Sequence, residues 1–325
     1  MTTVLSEIQS LDPAEAGSTL SSAEEDALAG LFENWEMFSQ DANIIRPISP
    51  LALKLLSLDE GSSTPGRDLA KIIESDPILT ARMLGLANSV AFGGSAKPIF
   101  KVSEAIVRLG VDTVLTAAFS QLSAQWLRGA CKHFDPSLIH GLWLEYLITA
   151  HCARELAKRL PDGEVDGSLA YAAGLLHDVG TIALVCAQPE PMSRFLRTEY
   201  DWGGPLYAGF VAAHTQLGGA LLRRWRTPAE IATVAIRHHS KSLLSETAVS
   251  IAVFLADHLH LAVLDHDRAG FENPEAYRSG CFGGATEQIT SALASLGIAG
   301  ELDVIVGRVA AECRSIELLA TAIYP

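Results

Sequence analysis

Lysine and arginine are missing from the first 45 residues, which carry nine carboxylates: Glu7, Asp12, Glu15, Glu24, Glu25, Asp26, Glu33, Glu36 and Asp41. That segment holds much of the net charge of −14, and the rest of the 325-residue chain is only mildly acidic. An acidic chain with no basic tract repels phosphate backbones, so nucleic acid is not an expected partner. Cysteine is sparse too. Cys131, Cys152, Cys186, Cys281 and Cys313 are odd in number and form no C-x-x-C pair. Neither a disulfide framework nor a thiolate zinc site is indicated, and small buried hydrophobes are the plainer role. Alternating runs of Val, Ile and Thr are scarce, which argues against strands. No stretch approaches an apolar span of 20 residues, and the N-terminus lacks the basic start of a signal peptide. A cytoplasmic chain without membrane insertion is the expectation.

Leucine and alanine dominate a sequence that is 49% hydrophobic, a balance that favours helices and a substantial core. After a loose leader of about 20 residues, SSAEEDALAGLFENWEMF reads as an amphipathic helix. Ser22 and Glu25 fit a capping box, and Leu28, Leu31, Phe32, Trp35 and Phe38 recur at helical spacing. Such a helix packs back on its own domain more readily than it waits for a partner. Arg46-Pro47-Ile48-Ser49-Pro50 opens a second region, broken by the turn-rich GSSTPG at 61 to 66. Asp76 before Pro77 is a helix start. In SEAIVRLGVDTV, Ser103 can cap one helix, Gly110 can end it, and Asp112 can cap the next.

Residues 141 to 160 are apolar on more than one face, as a buried helix requires. Thr227-Pro228-Ala229-Glu230 has the pattern of another capping box, with Pro at the first helical position. The segment 265 to 284 reads as loop, and 285 to 323 as two or three closing helices. Asn88-Ser89 falls at a helix end, where it either caps carbonyls or lines a groove between lobes; capping is the simpler reading. Trp126, Trp143, Trp202 and Trp225 are expected in the core or between lobes.

The chemistry gathers around GLLHDVG, residues 174 to 180. Leu169, Ala172, Ala173 and Leu176 form an inward stripe with His177 at its edge. His214 shares a stripe with Leu217, Leu221 and Trp225; His238 follows Ile231, Val234 and Ala235, with His239 about 100° further round. Val249, Val253 and Asp257 make a fourth row. A lone inward histidine is more often a hydrogen-bonded core residue than a ligand. Several ionisable groups buried together need mutual hydrogen bonds, trapped water or a metal to satisfy them. Neutral imidazole with carboxylate suits Fe, Mn, Zn or Ni.

The order His177-Asp178, His214, His238-His239, Asp257 resembles the HD superfamily of metal-dependent phosphohydrolases. The position of that superfamily's first histidine aligns with Glu145 in GLWLEYLITAHCARELA, and the lysine of its HDxGK variant is Thr181 here. The Gly-Tyr-Pro element of its cyclic-di-GMP phosphodiesterases is absent after His238-His239. A narrower match is with the HDOD (HD-related output domain) family. It rests on ISPLALKLLSL, on LAKIIESDPILTARMLGLANSVAFGG with its DPxLTxxxLxLANS pattern, on VSEAIVRLG, and on HTQLGGALLRRWRTPAEIATVAIRHH.

That resemblance implies an all-α, two-lobed fold over residues 46 to 320, following an acidic leader at 1 to 45. The N-terminal lobe would be 46 to 135, the HD-like lobe 136 to 260, and the closing helices 261 to 325. It also implies a bacterial regulatory module of signal transduction that acts through protein contacts. Its partners would be components of two-component or cyclic-dinucleotide pathways. The alternative is a metal-dependent phosphohydrolase acting on a nucleotide or cyclic nucleotide. In either case His177, Asp178, His214, His238, His239 and Asp257, with Glu145 as a further candidate, are the residues that would hold Fe, Mn or Zn. Nearby cations are few: Arg237, Lys241, and Arg223 or Arg224, thin for a phosphate cradle.

Overall fold

Every regular element among the described residues is an α-helix. The computed structural model describes residues 20–40, 49–56, 65–89, 98–130, 136–160, 165–197, 204–240 and 246–269, with short stretches between 293 and 309. The leader before residue 20, Trp202, most of GSSTPG and most of the predicted closing helices lie outside that range.

The chain opens with α1 (Ser22–Glu33) and α2 (Trp35–Gln40). Next comes a small lobe of α3 (Pro50–Leu56), α4 (Pro65–Glu74), α5 (Pro77–Ala87) and α6 (Val102–Leu109), packed against the long α7 (Val111–Ala130). The second lobe is built on α8 (Pro136–Ala157), which lies between α9 (Gly167–Leu176) and α14 (Ala248–Ala269). Around them stand α10 (Val179–Ala187), α11 (Pro189–Arg197), α12 (Pro205–Arg224) and α13 (Ala229–Arg237). Trp126 of α7 meets Trp225 at the end of α12 edge to face at 5.8 Å, and Trp143 is fully buried in α8.

Local chemistry sets the helix ends, in places one residue away from where the sequence suggests. The first capping box uses Ser21 and Glu24, not Ser22 and Glu25, with both reciprocal bonds made. Asp76 caps α5 as expected, accepting from the Leu79 amide at 2.8 Å with Pro77 behind it. Ser103 and Asp112 are not caps: α6 starts at Val102 and α7 at Val111, so both lie inside their helices. Gly110 does end α6, at φ 86°, a left-handed conformation that suits glycine. At the predicted box of α13, Pro228 is the cap residue and supplies no side-chain bond, while the Thr227 hydroxyl turns back to the Leu222 carbonyl.

One run exceeds the expectation from sequence. Residues Gly167–Ala187 are together long and apolar enough to cross a membrane, but 83% of the apolar 18-residue span within them is buried inside the protein. It is two core helices, α9 and α10, interrupted at His177-Asp178.

Candidate metal centre

The break between α9 and α10 places the first two functional groups. Gly174 lets α9 approach α8 so closely that a β-carbon there would lie 2.8 Å from the Ala150 Cα. The Gly174 carbonyl accepts a 2.7 Å hydrogen bond from Nδ1 of His177, the residue that ends α9. Asp178 then starts α10, and the Thr181 hydroxyl donates to its Oδ1 at 2.8 Å. Thr181 thus steers a carboxylate.

The other histidines are held in the same way. His214 Nδ1 bonds the Phe210 carbonyl at 2.8 Å, and His238 Nδ1 bonds the Ala235 carbonyl at 2.9 Å. A carbonyl can only accept, so each Nδ1 carries the proton, and in the neutral rings of His214 and His238 Nε2 presents a lone pair. The Nε2 nitrogens converge. His214 Nε2 lies 3.4 Å from His238 Nε2 and 3.3 Å from Asp178 Oδ1, and His177 Nε2 lies 3.3 Å from Asp257 Oδ1. The His177 and His238 rings are 4.9 Å apart, and the His238 and His239 rings 4.2 Å. His177, His214 and His238 are almost fully buried.

Burial and mutual charge split the imidazoles into two kinds. For His177, burial favours the neutral ring, but the hydrogen bond and charge of Asp257, helped by Asp178, outweigh it and raise the pKa to about 9. Burial lowers His214 to about 4, and burial with the neighbouring histidines lowers His239 to about 4 and holds His238 well below the ordinary imidazole value. Asp178 is raised to about 6 by burial, against the opposing pull of His177 and the Thr181 hydroxyl. Three neutral imidazoles beside carboxylates form a donor set suited to a divalent cation.

Donor atoms of His214, His238 and His239 lie within 4.8 Å of one another, near enough for a single ion to draw together. Two lone pairs facing each other at 3.4 Å repel unless a cation or a proton lies between them. Nδ1 bonded to a backbone carbonyl, with Nε2 aimed inward, is the outer-shell arrangement that metal-bound histidines use. The residues therefore fit a metal. His214, His238, His239 and Asp178 would form the inner set, with His177 and Asp257 on its flank.

Glu145 is half-buried on α8 and is not part of the three-histidine set. Its chain neighbour Tyr146 does reach the cluster: its hydroxyl bonds the Asp178 carbonyl at 3.2 Å and lies 3.5 Å from Oδ2, and its ring meets His177 edge to face. The steps from Ala150, Ala153 and Ala157 run back to Tyr146 rather than Glu145, so helical phase could have found it. Tyr207 was also missed; burial, with the charges of Asp257 and Asp178, raises its pKa to about 12.

Two of the cations near the cluster have other work. Arg237 pairs with Glu246 at 2.7 Å, and Arg224 donates to the Ser39 carbonyl at 3.2 Å.

Comparison with known proteins bears on the family and the fold. An uncharacterised protein of Treponema pallidum (strain Nichols) is 26% identical over 206 residues, which is 61% of this chain but only 39% of that protein. The crystal structure of an HDOD domain protein of unknown function from Geobacter sulfurreducens superposes with a TM-score of 0.58 at 21% identity, covering 89% of this chain and 97% of that one. A structure described provisionally as a signal transduction protein, from Marinobacter aquaeolei VT8, gives 0.60 at 19% identity, covering 95% and 69%. At these identities the likeness concerns the fold. The sequence model of the HDOD domain, however, matches residues 45–241, more than half the chain and every cluster residue except Asp257. The chain belongs to the HDOD domain family.

Proposed function

We propose that the chain is a bacterial, cytoplasmic signal-transduction output module that works through protein–protein contacts. Its HD-type cluster holds a divalent cation, Fe, Mn or Zn, as an internal brace. The observation that carries this reading is the 3.4 Å approach of His214 Nε2 to His238 Nε2, with both Nδ1 protons committed to backbone carbonyls. A cation there would tie α10, α12 and α13 together. The partners would be components of two-component or cyclic-dinucleotide pathways, met on the outer helix faces.

What supports a bracing role over turnover is the surroundings of the cluster. A phosphate ester needs cations around it, yet Thr181 stands where one superfamily branch has lysine, and Arg237 and Arg224 are engaged elsewhere. Asp178, Asp257 and two tyrosines add further electron-rich groups. The second reading, a metal-dependent phosphohydrolase, draws on the same donor set: a bound ion would acidify a coordinated water and neutralise phosphoryl charge. To separate the two, the purified protein is assayed with cyclic dinucleotides, nucleotides and generic phosphodiesters in the presence of Mn²⁺, Fe²⁺ and Zn²⁺. The bracing role predicts no turnover above the buffer rate. Robust hydrolysis that His177→Ala abolishes would establish the phosphohydrolase instead.

A further inference from the structure

The helices that precede the family-matched region are part of the second lobe. Leu28, Leu31 and Phe32 of α1 are buried in the common core, and α1 and α2 pack along α12, the helix that carries His214. Phe32 is the point of closest engagement. Its ring sits edge-on to Phe210 at 5.8 Å and to Phe195 at 5.6 Å, over Gly209, where a β-carbon would already touch it at 3.5 Å. Charge adds to the apolar seat: Arg194 of α11 pairs with Glu24 at 2.7 Å, and Arg224 holds the Ser39 carbonyl at the far end of α2.

Phe210 is also the residue that fixes His214. Its carbonyl accepts the Nδ1 proton, and its ring lies 4.5 Å from the imidazole at an angle of 31°. His214 in turn is the hub of the cluster, touching Asp178, His238 and His239. An unbroken chain of contacts thus runs from Phe32 through Phe210 to the imidazole that faces the others.

We propose that α1–α2 is a positioning arm for the histidine cluster, with Phe32 setting the place of His214 through Phe210. When the arm is seated, Phe210 is held by Phe32 and Phe195, and the His214 Nε2 is fixed against Asp178 and His238. When it is not, a ring-sized void opens beside Phe210, and both supports of His214 shift together. Partners that orient a ligating histidine typically change metal affinity 10- to 100-fold. Linkage makes the effect reciprocal: a cation at the cluster tightens the arm by the same factor. The arm is then a place where a partner that binds α1 would act on the cluster. The part of this inference concerning the cation rests on the metal-holding reading above; the part concerning His214 does not.

The test uses the full chain and has two readouts. Long-range ¹H–¹⁵N spectra of the imidazoles, recorded without metal, report His214 directly. Zn²⁺ titration by calorimetry reports affinity. Phe32→Ala is expected to move the His214 resonances while leaving those of His151 in place, and to weaken Zn²⁺ binding about 10- to 100-fold. Phe32→Leu should give a smaller shift, and Met37→Ala, at an exposed position, none. If Phe32→Ala does not fold, Arg194→Gln removes the Glu24 ion pair at a half-exposed site, and the same shifts are expected at reduced size. Digestion with a glutamate-specific protease, which can cut the arm where trypsin finds no site, should slow when Zn²⁺ is added to the wild-type chain.

Unchanged His214 resonances in a variant whose arm is readily digested would overturn the proposal. So would a Zn²⁺ affinity that is insensitive to arm release. If the wild-type chain binds no Zn²⁺ while the His214 resonances still move, the metal-holding reading falls and the positioning role stands.

Discussion

Gly180 lies directly against the backbone of His214: a β-carbon at 180 would fall on the His214 carbonyl oxygen and come within 2.8 Å of the Gly218 amide nitrogen. This contact sets the separation of α10 from α12, and through it the 3.3 Å distance between Asp178 and His214. Gly180→Ala must push two backbones apart, and overpacking of that kind costs about 1–3 kcal/mol. Gly85, by contrast, is exposed on α5 with nothing near its missing side chain, so Gly85→Ala should stabilise by about 0.5–1 kcal/mol through helix propensity. Denaturant titration of the two variants checks the opposite signs.

Asn88 closes the small lobe. Its side-chain amide donates to the Leu84 and Ile99 carbonyls at 2.9 and 2.8 Å, and its oxygen accepts the Ile99 amide at 2.8 Å. It thus caps α5 and holds the chain that returns eleven residues later. Asn88→Ala removes all three bonds and should cost about 2–3 kcal/mol. The Ile99 amide should lose its protection from hydrogen exchange more than amides in α8 do. Equal exchange at Ile99 in both proteins would count against the clamp.

Glu155 is the buried acceptor of the end of α8, bonded to Arg159 at 2.9 Å and to Lys158 at 3.0 Å. Burial alone would raise its pKa, but those bonds and charges outweigh it and leave the group below the ordinary carboxylate value of 4.5. A depressed folded-state pKa means the contribution is complete above about 4.5 and is lost as pH falls through the lower, folded value. Glu155→Gln should therefore be destabilised at pH 7 by about 1–3 kcal/mol. The gap to wild type should narrow below pH 4.5. A gap that widens in acid would reverse the sign and refute the assignment.

Helical content, the order of the motifs and the inward phase of His214, His238 and Asp257 were all legible in the sequence, because burial stripes recur every three to four residues. Exact helix starts were less so. At Ser103, Asp112 and Thr227 a good capping residue is present, yet the chain enters the helix a residue to either side, with Val102 and Ile231 buried in the first turns of α6 and α13. The apolar stretch 167–187 hid behind the polar pair His177-Asp178, which interrupts hydropathy without interrupting burial. Tyr146 carries no signal of its own, because a phenol is not a usual metal ligand, although it shares the inward stripe of α8 better than Glu145 does. The reach of Phe32 to Phe210 joins residues 178 positions apart, and no local pattern announces such a contact.

The central claim is that imidazoles on separate helices, with their Nδ1 protons tied down, hold one cation between them. Elemental analysis of protein purified without affinity tag or chelator tests it most directly, alongside the His214→Ala/His238→Ala variant. The account predicts about one equivalent of Fe, Mn or Zn per chain in the wild type and almost none in the variant. A wild-type protein that carries no metal and takes up none when Fe²⁺, Mn²⁺ or Zn²⁺ is supplied would contradict it.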